Sequence, residues 1–200
     1  MTWQSAWEEG RTPWDLGTSA PVLRSLVEAG GLPQGRAVVP GAGSGYDVLT
    51  LAGPTRSVVG LDLAPVAKTR FDTLAETHPH REQVEFVVAD AFAYTPEAPF
   101  ELVWDYTFLC ALPPELRPSW AKMIDRLLHP TQGQLAALIF PVVPDADPED
   151  GPPYPMTPEL VTNLVEPFLE PISIVPVQTS NPGREGKEWL GRFGRRTSSD

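Results

Sequence analysis

The chain alternates short apolar runs with helix-period segments, and the stretch Val38–Leu63, VVPGAGSGYDVLTLAGPTRSVVGLDL, constrains the fold most tightly. An apolar strand enters a glycine turn, a helix follows, and a second strand ends in a lone aspartate. The rest of the chain extends this pattern. RAVVP (Arg36–Pro40), SVVGLDL, VEFVVAD, FELVWDYTFL and QLAALIFPV read as successive buried strands. Between them, Ala67, Phe71, Leu74 and Ala75 share one helical face, as do Trp120, Met123, Ile124, Leu127 and Leu128. Upstream, a helix is predicted from Ser19, with Ser19 as cap, Pro21 in the first turn, Val22, Leu23, Leu26 and Val27 on one face, and Gly30–Gly31 as the stop. Downstream, Thr157 is predicted to cap TPELVTNLVEPF, and PISIVPVQT and KEWLGRFGRR alternate like a terminal hairpin. Strand and helix in alternation predict a doubly wound, Rossmann-like α/β sheet, mostly parallel, with an antiparallel C-terminal strand. In such folds ligands lie beyond the C-terminal ends of the strands, beside the loop after the first.

Composition narrows the classes. A chain of 200 residues with 42% hydrophobic content suits one soluble domain spanning residues 1–200. A net charge of -11 argues against a nucleic-acid partner, because the only basic cluster is Arg192, Arg195 and Arg196 near the C-terminus. No apolar run reaches membrane-spanning length, and the first residues lack the basic start and apolar stretch of a secretion signal. Cys110 is the single cysteine, which fits a reducing compartment, so a cytoplasmic protein is expected, monomeric or weakly homo-oligomeric. The 24 prolines gather in TPEAP, LPPEL and PVVPDADPEDGPPYP, where they punctuate the elements.

Glycines at 41, 43 and 45 allow close backbone approach to a ligand. Their G-x-G-x-G spacing, followed by the bulky Tyr46, departs from the G-x-G-x-x-G of dinucleotide sites. Asp62 ends the second strand, where a carboxylate can accept both ribose hydroxyls, and Asp90 ends the third, where it can meet an adenine edge. Together these describe an S-adenosylmethionine site better than a nicotinamide site. A competing reading makes both aspartates caps of the turns that follow. Trp3, Trp7 and Trp14 crowd a polar N-terminal arm, residues 1–18. They either cover a sulfonium cation or staple the arm to the core.

The motifs W-x3-W-x-E-G-x-T-P-W-D-x-G (Trp3–Gly17), VPGAGSGYD, VVGLDL, VVADAF, FELVWDYTFLCALPPELRPSWA and GPPYP, in this order over nearly the whole chain, resemble the thiopurine methyltransferase superfamily. Its halide/thiol branch is the most similar. The resemblance implies a class I methyltransferase fold with S-adenosylmethionine as cofactor and S-adenosylhomocysteine as product. By position, Trp3, Trp7 and Trp14 would line the cofactor pocket, Gly41 and Gly43 admit the methionine part, and Asp62 with Leu63 hold the ribose side. Asp90 and Ala91 would face the adenine, and Tyr106 the sulfonium end. Two departures stand out: Val39 replaces the acidic residue that many class I enzymes carry before the turn, which the halide/thiol branch also lacks, and Ala42 replaces a cysteine usual in that branch.

Methyl transfer from a sulfonium is an in-line displacement, so alignment and water exclusion dominate and a base is optional for soft anions. The expected acceptor is a small or anionic nucleophile: halide, thiocyanate, bisulfide or thiol. A thiopurine-type enzyme acting on aromatic thiols, and a protein that binds the cofactor without turnover, are the alternatives. His78, His80 and His129 are scattered and predict no metal site. The loop 141–156 is a candidate lid, with Tyr154 closing over the acceptor, its acidic run Asp145–Asp150 facing solvent, and Tyr106 as a second acceptor-positioning residue. Cys110 is read as core.

Overall fold

The computed structural model describes residues 3–196, with side chains from Ser5 onward. The chain divides into two compact units, residues 1–95 and 96–200. The first contains α1 (Trp3–Glu8), α2 (Pro21–Glu28), β1 (Gly35–Pro40), α3 (Tyr46–Leu51), β2 (Arg56–Asp62), α4 (Pro65–Ala75) and β3 (Val84–Val88). β2 lies between β1 and β3 and pairs with both in parallel, Val38 opposite Val59 and Asp62 opposite Val88. Ala37, Val38 and Val39 are all buried, as strands covered on both faces require. Val48 and Leu51 of α3 and Ala67, Phe71 and Ala75 of α4 are the buried helix positions, and Phe71 packs on Phe86 with ring centroids 5.0 Å apart. Arg56, itself buried, donates to the carbonyls of Leu51, Leu32 and Pro33, so the open C-terminus of α3 is closed by a side chain of the next strand.

The second unit holds β4 (Leu102–Tyr106), α5 (Arg117–Leu127), β5 (Gln134–Ile139), α6 (Pro158–Val165), β6 (Leu169–Pro176) and β7 (Trp189–Arg195). β4 and β5 are parallel, Tyr106 opposite Leu138, whereas β7 runs antiparallel to both β5 and β6. The predicted terminal hairpin is therefore β6–β7. Its register shifts between Pro171 and Ser173, and prolines are tolerated in β6 because one side of this strand carries no ladder. All five predicted helix-face residues of α5 and its exit are buried. Thr157 caps α6, its hydroxyl accepting from the Leu160 N–H at 3.0 Å. The fold is thus the mostly parallel, doubly wound α/β arrangement expected, with antiparallel C-terminal strands.

Local expectations fail in three places. Ser19 is not the cap of α2: Ala20 occupies that position, and the Ser19 hydroxyl accepts from Arg24 instead. Only Leu23 of the predicted α2 face is fully buried. Leu74 is exposed, because α4 buries a narrower stripe than its apolar residues suggest. Among the described residues, no helix is long and apolar enough to cross a membrane.

Candidate active site

The glycine turn is left-handed at all three glycines, with φ of 62° at Gly41, 54° at Gly43 and 82° at Gly45. Asp62 holds it from the end of β2. One carboxylate oxygen accepts from the Gly43 N–H and the other from the Ala64 N–H, each at 2.9 Å. Burial pushes the Asp62 carboxyl above the usual range, against the lowering effect of the Ala64, Gly43 and Leu63 N–H groups. A carboxylate has about four acceptor positions, so lone pairs remain for hydroxyl donors. Beside it Leu63 is 59% exposed. Asp90 behaves as the capping reading expects, one oxygen accepting from the Phe92 N–H at 2.9 Å, while Ala91 is buried.

The N-terminal arm is fastened to the same turn. Trp7 is buried, and a Cβ at Gly43 would meet its ring edge at 3.6 Å, an ordinary contact. Trp14 meets Trp7 edge-on at 6.0 Å, and the Arg70 guanidinium of α4 lies 4.8 Å from the Trp7 ring centre. Asp15 accepts from the buried Ser44 hydroxyl at 2.6 Å and from Arg70 at 3.4 Å. Arg70 thus takes the cationic partner's place on Trp7, which supports the stapling role for that indole. The side chain of Trp3 lies outside the described residues. Asp15 and Ser44 lie within the quoted motifs, but neither they nor Arg70 was assigned a role from the sequence.

In the second unit, Tyr106 ends β4 and donates its hydroxyl to Glu188 Oε1 at 2.6 Å. The Arg184 guanidinium lies over the rings of Tyr106 and Phe140, 4.8 and 4.4 Å from their centres. Burial drives the Tyr106 phenol well above its usual range, against the field of Arg184 and assisted by Glu188, so it stays protonated. Tyr154 is anchored through its N–H to the Cys110 carbonyl at 2.7 Å, and a side chain at Gly151 would strike the Tyr154 ring. Asp145 and Asp147–Asp150 are exposed, as expected for a solvated run. Cys110 is buried, its thiol pushed up to about 12 by burial and by the charge of Asp105. Two further residues escaped sequence reasoning. Arg117, at the start of α5, is 8% exposed, and its Nε and Nη2 have no hydrogen-bond partner among the described residues. Glu188 is 2% exposed, with Oε2 likewise unpartnered.

Asp105 sits under this region, accepting from Trp120 Nε1 at 2.7 Å and the Leu109 N–H at 3.2 Å. Burial raises its carboxyl to about 6, over the opposing effect of those donors. Folding favours the protonated form. The resulting stabilisation is full below pH about 4, where the unfolded chain also protonates, and is lost as pH rises through about 6. Asp105→Asn removes the titration. The difference in denaturant stability between wild type and variant is expected to change by about 3 kcal/mol between pH 4 and 7, with the wild type losing ground as pH rises. A pH-independent difference refutes the assignment.

In fold, the chain is similar to the Burkholderia thailandensis 1,6-didemethyltoxoflavin-N1-methyltransferase, a structure with bound S-adenosylhomocysteine (TM-score 0.73, 21% identity, 96% of this chain and 84% of that one). The architecture is therefore that of the class I methyltransferase fold, with the carboxylate and glycine turn at the strand ends. The sequence comparisons are more specific. A probable thiol methyltransferase 2 of Arabidopsis thaliana is 43% identical, and a thiocyanate methyltransferase 1 of the same plant 40%; each match covers 96% of this chain and 83% of the relative. The chain belongs to the thiopurine S-methyltransferase family, whose model matches residues 1–181. Among the described residues, no group of three or more His, Cys, Asp or Glu side chains could hold a metal ion.

Proposed function

We propose that the protein methylates a small soft nucleophile, a thiol, bisulfide, thiocyanate or halide, with residues 1–200 working as one catalytic domain. The observation that carries this reading is the buried guanidinium of Arg117, whose Nε and Nη2 find no acceptor among the described residues. A buried donor pair of that kind matches an anionic ligand. Similarity to thiol and thiocyanate methyltransferases over most of the chain supports the same class. The single, buried Cys110 fits a reducing cytoplasm.

On the donor side, the remaining lone pairs of Asp62 accept the ribose hydroxyls, and Gly41 and Gly43 let the chain approach the methionine portion. Leu63 and Ala91 flank the adenine, with Asp90 at its edge. Trp7 and Trp14 roof the turn and keep water out. When bound, S-adenosylmethionine supplies a methyl carbon activated by its sulfonium. On the acceptor side, Tyr106 remains a phenol and directs its proton to Glu188, which leaves its lone pairs for the acceptor. Tyr154, held from Cys110, closes the acceptor from the loop 141–156.

The test is turnover. Purified protein is incubated with S-adenosylmethionine and iodide, thiocyanate, bisulfide or thiophenol, and methylated product and S-adenosylhomocysteine are both measured; thiophenol covers the aromatic-thiol alternative that the family match raises. Turnover of at least one soft anion is expected, and Arg117→Met is expected to raise the KM for thiocyanate about tenfold or more. Cofactor binding with no turnover of any acceptor defeats the reading.

A further inference from the structure

Glu188 precedes β7, whose Trp189 pairs with Ile139, so it stands at the C-terminal edge of β5. Its position is fixed on both sides. The Glu188 carbonyl accepts from the Val177 N–H at 3.0 Å, and the neighbouring Lys187 carbonyl accepts from the Val142 N–H at 2.9 Å. One carboxylate oxygen is engaged by the Tyr106 hydroxyl. The other, Oε2, is buried and unpartnered, an arrangement that costs free energy unless a donor arrives. Among the acceptors of the proposed function, halides and thiocyanate bring no proton. A thiol does.

We propose that Glu188 Oε2 is the catalytic proton acceptor for neutral thiol substrates, a role that rests on the soft-nucleophile reading above. As the sulfur lone pair forms the new C–S bond to the transferred methyl, the sulfonium C–S bond breaks and its electron pair stays on the donor sulfur. The thiol proton passes to Oε2, and the resulting carboxylic acid later returns it to solvent. The charged and titratable groups facing Glu188 are compatible with this role. The Tyr106 hydroxyl already points at Oε1 and is held protonated, so it does not compete as base. Arg184, 4.8 Å from the centre of the same tyrosine ring, is the cation of this cluster. The Cys110 thiol, pushed up to about 12, does not compete as nucleophile or base at neutral pH. Glu188 would thereby separate two classes of acceptor, favouring those that carry a proton over permanent anions.

The experiment measures kcat/KM from pH 6 to 9 for 2-mercaptoethanol, a neutral thiol, and for thiocyanate, a permanent anion, in wild type and Glu188→Gln. For wild type, the thiol rate is expected to rise much less than the about tenfold per pH unit that the thiolate fraction follows below its pKa. For Glu188→Gln, that dependence steepens to about tenfold per unit. At pH 6.5 the variant loses at least about tenfold more thiol activity than thiocyanate activity. A wild-type profile that already tracks the thiolate fraction overturns the proposal, and needs no variant to do so. Equal losses for both acceptors make Glu188 structural and also overturn it. If neither acceptor is turned over while cofactor still binds, the acceptor reading itself falls, and the proposal with it.

Discussion

Asp62→Ala is expected to weaken S-adenosylhomocysteine binding by roughly 100-fold or more, since hydrogen bonds to a charged group contribute about 1.5–3 kcal/mol each and two ribose hydroxyls lose theirs. The carboxylate also holds the Gly43 and Ala64 N–H groups, so the glycine turn loses its fastening in the same substitution. Asp62→Asn separates the two effects. It keeps the shape and one acceptor oxygen, and about a tenfold loss is expected. Calorimetric titration on variants shown by circular dichroism to be folded checks both. An Asp62→Ala dissociation constant within about threefold of wild type would remove the ribose from this carboxylate.

Gly45→Ala is expected to cost about 3–4 kcal/mol of folding stability, combining left-handed strain with overpacking. Gly45 has a φ of 82°, and a Cβ there would lie 2.3 Å from Cδ2 of Phe71. Phe71 cannot yield easily, because it is buried and packed on Phe86. Phe71→Leu in the Gly45→Ala background relieves the collision but not the strain, so the double variant should recover part of the loss. Urea denaturation of the four proteins tests this. A Gly45→Ala protein within about 1 kcal/mol of wild type would show that the third glycine is not required by packing.

This glycine illustrates what the sequence could convey. The G-x-G-x-G spacing marked the turn, and the positive φ values show why glycine suits all three positions. It could not reveal that Gly45 is reserved for Phe71, 26 positions away, because helix periodicity says which face of α4 is buried and not what it meets. Asp62 and Asp90 were legible as strand-end carboxylates, and both also make the local bonds of the competing reading. The capping bonds do not exclude the proposed ligand role, since a carboxylate that fixes a turn keeps lone pairs to offer. Ser19 misled because a polar residue before Pro21 looks like a cap, whereas Arg24 claims its hydroxyl. The cluster of Asp15, Ser44 and Arg70, and the group of Tyr106, Arg184 and Glu188, join residues far apart in the chain. None follows a fixed spacing. Arg117 was hidden differently: on a helix rich in apolar residues an arginine reads as the solvated face, and only its burial reveals otherwise.

The partners found for Asp62, Trp7 and Asp15 lie within residues 1–95, and those found for Tyr106, Tyr154 and Asp105 within residues 96–200. Inheritance can act on such an arrangement piecemeal. Under the roles proposed above, substitutions in the later portion would retune which nucleophile is accepted while leaving the grip on the donor untouched, so new chemistry could be acquired without rebuilding the engine.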